Sequence, residues 1–250
     1  MNPEFSANDV TTWAVALGVN LLFGGFAWWR GTVSRSGFVG GVLIGTLILA
    51  LGGVGAYAAL CGFFVVGTAA TRLGYARKAK AGLAQEARGR RGTKHALANC
   101  ATGTVLAVSL PLWPSWLPAV GLVAAFATAA SDTLGSEIGQ LYGKRPYLPT
   151  TFRPVPPGTE GAVSVEGTLA GVAGSIALGA LGWAFALYPA VGIAVVAAGA
   201  FVGTTVESYV GAIWGQDARI GNEAMNFLNT LVGAAVAMAI AIPLGWGSMP

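Results

Sequence analysis

The chain has 250 residues, of which 54% are hydrophobic and only 10% are charged, and its mean hydropathy is +0.66. A soluble domain carries about 25% charged residues, so this composition excludes a soluble fold of this size and indicates an integral membrane protein. The net charge of +4 does not point to nucleic acid, because the basic residues stand in loops between apolar segments.

Apolar segments follow one another along the chain, and a helix needs about 20 residues to cross a bilayer. The predicted spans are 12–29, 37–51, 54–71, 95–111, 115–135, 163–186, 188–209 and 222–244. Segment 37–71 has two interpretations, one long tilted helix or two short helices that break at Gly52 and Gly53. The longest loops leave no room for a soluble domain, so we expect a single transmembrane domain over residues 1–250.

The basic residues decide between these two interpretations. With eight spans, all 14 Lys and Arg residues fall in four alternate loops, at 30–36, 72–94, 136–162 and 210–221. A single span over 37–71 would place Arg30 and Arg35 opposite the basic loop 72–94. Since Lys and Arg gather in cytoplasmic loops, the sequence predicts an all-α polytopic transmembrane bundle of about eight spans. Both termini then lie on the non-cytoplasmic side, and the basic loops face the cytoplasm or the stroma of a plastid.

Acidic side chains stand at the ends of two predicted spans. Asp132 and Ser136 are four residues apart and share a helix face, whereas Asp132 and Glu137 are about 140° apart on an ideal helix. Both carboxylates would reach one metal ion only if the turn loosened near Gly135. Glu207 ends the seventh span. Because charges in membrane segments are costly, we expect Asp132, Glu137 and Glu207 to serve function. For Glu207, a helix-end carboxylate in contact with water is the alternative interpretation.

A segment rich in glycine and hydroxyl groups leads into the sixth span. Such a segment binds phosphate well at a helix N-terminus, where backbone N–H groups are free. Its own carboxylates would repel a bare phosphate, and a metal ion between them would remove that repulsion. An ordinary Gly/Pro turn is the alternative interpretation, since the lysine of a Walker A motif is absent. The candidate residues are Gly158, Thr159, Glu160, Gly161, Ser164, Glu166, Gly167 and Thr168.

The eighth span begins with a polar stripe. Asn222, Asn226 and Asn229 follow the spacing i, i+4 and i+7 on one helix face, and Glu223 stands beside them. Buried amides need hydrogen-bond partners, so the stripe either joins helices or contacts a ligand.

The basic loop 72–94 supplies the cationic candidates. Most of its side chains set topology and touch anionic headgroups, but Arg72 and Lys94 stand at its two helix ends, where they are placed to hold a phosphorylated substrate. His95 and Asn99 follow four residues apart, and a lone histidine is more often structural than catalytic.

Polar groups from several spans therefore map to one membrane face. Carboxylates, glycines and cations are the groups that support Mg²⁺-assisted phosphoryl transfer, in which charge neutralisation and positioning lower the barrier. A secondary transporter would instead carry its charges near the midplane, on broken helices. A small-solute transporter and a structural membrane protein are the interpretations from other classes.

Five motifs follow one another along the chain: DTLGSE at 132–137, PGTEG at 157–161, SVEGT at 164–168, ESYVGA at 207–212 and NFLN at 226–229. In this order they resemble the integral-membrane phytyl-phosphate kinase family of the vitamin E pathway, long a family of unknown function. The resemblance covers roughly residues 37–235. It implies that an isoprenoid monophosphate, phytyl phosphate, is converted to the diphosphate by a nucleoside triphosphate, expected to be CTP, with Mg²⁺.

Positions within these motifs give the expected roles. Asp132, Glu137 and Glu207 are expected to coordinate Mg²⁺, and Arg72 and Lys94 to hold the acceptor phosphate. The segment 158–168 and Ser136 are expected to bind the nucleotide, while Asn99 and the stripe with Glu223 orient either ligand. The expected partners are the nucleotide, the isoprenoid phosphate and the lipids of a plasma, thylakoid or plastid membrane, without nucleic acid. A lipid cytidylyltransferase and a polyprenol kinase are the alternatives among enzymes, because both use CTP and a membrane lipid.

Overall fold

The computed structural model describes residues 9–85, 89–214 and 221–247, and this part of the chain is almost entirely helical. Its helices are α1 Val10–Trp29, α2 Arg35–Arg72, α3 Tyr75–Lys80, α4 Thr93–Ser109, α5 Trp116–Tyr142, α6 Val165–Ala184, α7 Gly192–Trp214 and α8 Asn222–Ala241, followed by a 3₁₀ turn Ile242–Leu244. Among the described residues, six helices are long and apolar enough to cross a membrane, with α2 counted once. The predicted polytopic helical bundle is confirmed.

Helix α2 consists of two antiparallel arms that meet at Gly53. This glycine leaves the helical region with φ 75° and ψ −176°, a conformation that is essentially restricted to glycine. A straight helix of 38 residues would be about 57 Å long. Instead, Nη2 of Arg72 at the end of α2 donates to the carbonyl of Arg30 just before its start, at 2.9 Å. The two short predicted spans are therefore the correct interpretation of 37–71.

When the two arms of α2 are counted separately and the 17-residue helix α4 is included, the described chain has eight antiparallel segments. At one end of the bundle, Ser34 N donates to Arg91 O, and Arg77 on α3 donates to Leu141 O at the end of α5. At the other end, the Trp246 ring packs on the rings of Trp116 and Tyr188. Every Lys and Arg of the described residues belongs to the first end, which we call the basic end; Arg88 and Arg219 lie outside the described residues.

Helix α5 forms the centre of the bundle, in contact with α2, α4, α6, α7 and α8. Its residues from Leu117 to Ser131 are all buried. Small side chains let neighbouring helices approach it and each other closely. At Gly203 of α7, for example, an added Cβ would stand 2.6 Å from the carbonyl oxygen of Asn229 on α8. This close approach of α7 and α8 sets the position of the polar residues described next.

Candidate functional site

A cavity of about 610 Å³ lies at the basic end between α4, α5, α6, α7, α8 and the loop 143–164. We call it the polar cavity. The residues predicted from sequence that line it are Asn99, Asp132, Ser136, Gly158, Thr159, Glu160, Gly161, Ser164, Gly167, Thr168, Glu207, Asn222 and Asn226. No Lys or Arg of the described residues lines it, so its charged side chains are the carboxylates of Asp132, Glu160 and Glu207. An anionic ligand in this cavity therefore needs a cation to accompany it.

Two carboxyl groups meet in this cavity. Asp132 of α5 and Glu207 of α7 lie within hydrogen-bonding reach of each other. The side chain of Asn229 on α8 donates from Nδ2 to Oε2 of Glu207, while its Oδ1 is buried without a partner. Like charges this close are stable only with a shared proton or a cation between them. Three helices thus converge on one small group of oxygen atoms.

This pair has the type of ligand atom that Mg²⁺ prefers. Magnesium prefers oxygen ligands and is often held by only one or two carboxylates together with substrate phosphates and water. The described residues contain no group of three or more acidic, His or Cys side chains placed to hold a metal. Of the three carboxylates expected from sequence to coordinate Mg²⁺, the structure brings together Asp132 and Glu207, with the Asn229 amide beside them.

The structure does not bring Glu137 to this pair. Helix α5 runs without a break through Gly135 to Tyr142, so the loosened turn that would join Asp132 and Glu137 does not occur. Glu137 is buried and forms an ion pair with Lys78 of α3, a side chain that also donates to the carbonyl of Thr71 at 3.0 Å. Lys78 is itself 2% exposed. Glu137 therefore attaches α3 to α5 on another side of the helix.

Several other expected residues also lie outside the polar cavity. The Arg72 side chain donates a hydrogen bond to the carbonyl of Arg30, and Lys94 is exposed on α4. Glu166 accepts from the backbone N–H of Lys144 at 3.4 Å, and Glu223 is exposed at the start of α8. Neither basic side chain is placed to hold a phosphate in the cavity, because both stand on outward faces of their helices.

The glycine-rich segment takes its shape from close packing on α7. Gly158 and Gly161 have φ values of 84° and 72°, and a Cβ at Gly161 would overlap the backbone of Ser208 and Ala212. Only glycine allows the loop to lie this close to α7, and the contact places Glu160 over the cavity. Ser164 caps α6 by accepting from Gly167 N at 3.1 Å. The segment therefore forms one wall of the cavity and is held in place by its contacts with α7.

Comparison with known proteins agrees with the family expected from the motifs. Residues 18–234 match the family described as integral membrane protein DUF92. The chain belongs to this family. An uncharacterized membrane protein of Synechocystis sp. is 41% identical over 203 residues, which cover 79% of this chain and 78% of the relative. No solved structure shows a significant match.

Two further relatives come from a plant and an archaeon. Protein VTE6, chloroplastic, of Arabidopsis thaliana is 37% identical over 82% of this chain and 64% of its own length. An uncharacterized membrane protein of Methanocaldococcus jannaschii is 31% identical over 83% of this chain and 85% of its own length. The matches to all three relatives extend over most of the transmembrane region of this DUF92 protein.

One charged residue that the sequence did not single out is buried in this DUF92 protein. Arg91 precedes α4, is 7% exposed, and holds its guanidinium 5.2 Å from the centre of the Phe63 ring. Its backbone bonds to Thr32 and Ser34, but its Nη2 has no hydrogen-bond partner. Burial lowers the pKa of Arg91, although arginine stays protonated. In the sequence Arg91 is one of several cations in the basic loop, and only its contacts distinguish it.

Proposed function

We propose that this chain transfers a phosphoryl group from a nucleoside triphosphate, CTP first among them, to an isoprenoid monophosphate such as phytyl phosphate. The observation that carries this proposal is the Asp132–Glu207 carboxyl pair in a cavity that five helices and a glycine-rich loop surround. The motifs that resemble phytyl-phosphate kinases support the same reaction, and the membrane family together with the relative VTE6 supports an isoprenoid-related function in a membrane. The active site would face the cytoplasm or stroma, on the side of the basic loops.

The polar cavity offers groups suited to a nucleotide with its metal ion. Mg²⁺ at Asp132 and Glu207 would neutralise the charge of the nucleotide phosphates. Asn229 orients Glu207 through its Nδ2 hydrogen bond. The wall formed by residues 158–168, with the hydroxyls of Thr159 and Thr168, would enclose the phosphates and limit the access of water. Asn222 and Asn226 supply further amides toward the same space.

The reaction itself needs little from the protein beyond positioning. An oxygen of the acceptor phosphate attacks the γ-phosphorus, the new O–P bond forms, and the bond between that phosphorus and the β–γ bridging oxygen breaks. The products are the isoprenoid diphosphate and the nucleoside diphosphate. Since the attacking phosphate oxygen is already anionic, no proton has to be removed from it, and a strong general base is unnecessary.

Product analysis tests the reaction directly. Purified protein is incubated with Mg²⁺, phytyl phosphate and CTP that is labelled in the cytosine base. A kinase releases CDP and forms phytyl diphosphate. A cytidylyltransferase would instead release pyrophosphate and form a CDP-lipid, and that outcome would replace our proposal. Chelation of divalent cations by EDTA should stop turnover, and added Mg²⁺ should restore it.

Two variants test whether the reaction depends on the carboxyl pair. Asp132→Asn and Glu207→Gln should each lower kcat by about 100-fold or more, because each removes one of the two anionic oxygen ligands. Asp9→Asn is the control, since Asn caps a helix as well as Asp and this residue stands at the start of α1. If Asp132→Asn abolished solute uptake into liposomes while wild-type protein turned over no nucleotide, the protein would be a transporter.

A further inference from the structure

A second cavity, of about 90 Å³, lies beside the polar cavity and has a different character. We call it the apolar groove. It runs between α1, both arms of α2 and α4, and its walls include Phe23, Phe38, Ile44 and Phe64. Phe23 is 38% exposed and Gly41 is exposed, so the groove opens sideways on the outer surface of the bundle. In a membrane-embedded bundle this side opening faces lipid chains.

The groove has a polar group at each end. Tyr57 and Asn20 close the inner end, where the Tyr57 hydroxyl donates to Oδ1 of Asn20 at 3.1 Å and both groups are satisfied. Arg91 closes the end nearest the basic loops, and its Nη2 has no partner. Gly67 packs against the Arg91 guanidinium, and Tyr57 stands ten residues before Gly67 on the same arm of α2, so these ends are about 15 Å apart along the helix axis.

The unpaired guanidinium indicates what the groove binds. A buried cationic donor without a partner is costly, and native structures leave few of them. Guanidinium groups pair with phosphate oxygens through parallel N–H bonds. The Phe63 ring beneath Arg91 holds the guanidinium in position without using its N–H donors. A ligand with an anionic phosphate head and an apolar chain would satisfy both the guanidinium and the groove.

The groove and the polar cavity meet at two residues of α4. His95 and Asn99 line both cavities. Nε2 of His95 is buried without a hydrogen-bond partner, whereas Nδ2 of Asn99 donates to the carbonyl of His95 at 2.9 Å. A phosphate held at Arg91 would therefore stand at the point where the space for a lipid chain joins the space for a nucleotide.

We propose that the apolar groove holds the first part of the chain of an isoprenoid monophosphate, with its phosphate on Arg91 and beside His95 and Asn99. This assignment rests on the proposed function, and it names the acceptor subsite of that reaction. A volume of about 90 Å³ has room for roughly six water-sized groups, so the rest of the chain lies in the open side of the groove and the bilayer. Arg91 thereby takes the role expected from sequence for Arg72 and Lys94.

Equilibrium binding without nucleotide tests the groove apart from the reaction. Radiolabelled phytyl phosphate is bound to the full-length protein in nanodiscs, with EDTA present. Gly41 lines the groove and a Cβ there would meet no atom within 4 Å, so Gly41→Leu adds a side chain to the groove wall without a clash at its Cβ. We expect it to raise the Kd by tenfold or more. Gly18→Leu is the matched control, because Gly18 also has open space around it but does not line the groove, and its Kd should equal that of wild type.

Substitutions of Arg91 test the phosphate contact. Arg91→Gln should raise the Kd for phytyl phosphate at least tenfold, and Arg91→Lys should restore part of the loss because it keeps the charge without the paired N–H donors. Phytol has no phosphate, so its affinity, measured by displacement of radiolabelled phytyl phosphate, should be the same in Arg91→Gln as in wild type. In Gly41→Leu the affinity for phytol should be lower. Size-exclusion elution of each variant verifies folding, and Gly41→Leu keeps the test valid if Arg91→Gln does not fold.

The outcomes separate this inference from the proposed function. If wild-type protein forms phytyl diphosphate while Gly41→Leu and Arg91→Gln bind phytyl phosphate like wild type, the groove assignment is overturned and the kinase proposal stands. If wild type binds phytyl phosphate with this dependence on both residues but transfers no phosphoryl group, the groove stands and the kinase proposal fails. Equal competition by a two-chain phosphatidic acid would overturn the single-chain acceptor in favour of a bilayer lipid.

Discussion

Asp132 and Glu137 stand five residues apart on one helix, yet they have different partners. Asp132 meets Glu207 of α7, while Glu137 pairs with Lys78, 59 residues away on α3. The sequence predicts their different helix faces from the helical period alone. It does not say which neighbour covers each face. The same holds for Arg91, whose position over Phe63 separates it from the other cations of its loop.

The buried Lys78–Glu137 pair leads to a stability prediction. Lys78→Met leaves Glu137 buried without its cation, and we expect a loss of about 3–5 kcal/mol in the free energy of unfolding. The double variant Lys78→Met/Glu137→Leu should regain most of this loss, because no buried charge remains unpaired. Thermal unfolding in detergent measures all three proteins. A single variant as stable as wild type would show that the pair contributes nothing.

Among the helices, α2 shows how a single glycine can divide an element into two arms. The apolar run 37–71 is long enough for one helix, and only the distribution of Arg30, Arg35 and the loop 72–94 favoured two arms. In the structure, Gly53 makes the turn between the arms in a conformation restricted to glycine. Helix α7 extends past its predicted end at residue 209 and continues to Trp214, so Glu207 lies seven residues inside the helix.

The turn in α2 gives a prediction at the scale of the element. Gly53→Ala should destabilise the protein by about 1–3 kcal/mol, because the substituted residue is strained at φ 75° even though no atom blocks its Cβ. Gly18→Ala, within α1 and with open space around it, should be neutral or stabilising. Denaturation midpoints of the two variants provide the comparison. Equal midpoints would mean that the arms do not depend on the Gly53 conformation.

Across the whole molecule, both cavities lie toward the basic end, which we expect from the charge distribution to face the cytoplasm or stroma. Nucleotides are found in those compartments, and the proposed isoprenoid substrate would be found in the bilayer. A bundle with a polar cavity at its end and a groove open to lipid would bring these two proposed substrates together. This arrangement depends on the orientation of the protein in the membrane.

Cysteine labelling of intact bacterial cells tests that orientation. Leu112 is exposed at one end of the bundle and Thr150 is exposed in the loop 143–164 at the other. A membrane-impermeant maleimide should label Leu112→Cys in intact cells, and Thr150→Cys only after permeabilisation. Wild type, in which Cys100 is buried and Cys61 half-buried, gives the background. Labelling in the reverse order would place the polar cavity on the outside.

The sequence by itself determined the helices, their alternation across the membrane and the residues that gather at the basic end. These are local properties, because an apolar run of about 20 residues predicts a membrane span and a run of cations predicts a cytoplasmic loop, whatever packs beside them. Only the tertiary structure decided that Asp132 meets Glu207, that Glu137 meets Lys78, and that Arg91 rather than Arg72 or Lys94 reaches a cavity. These contacts join distant segments, and they depend on how close packing at small residues rotates each helix against its neighbours.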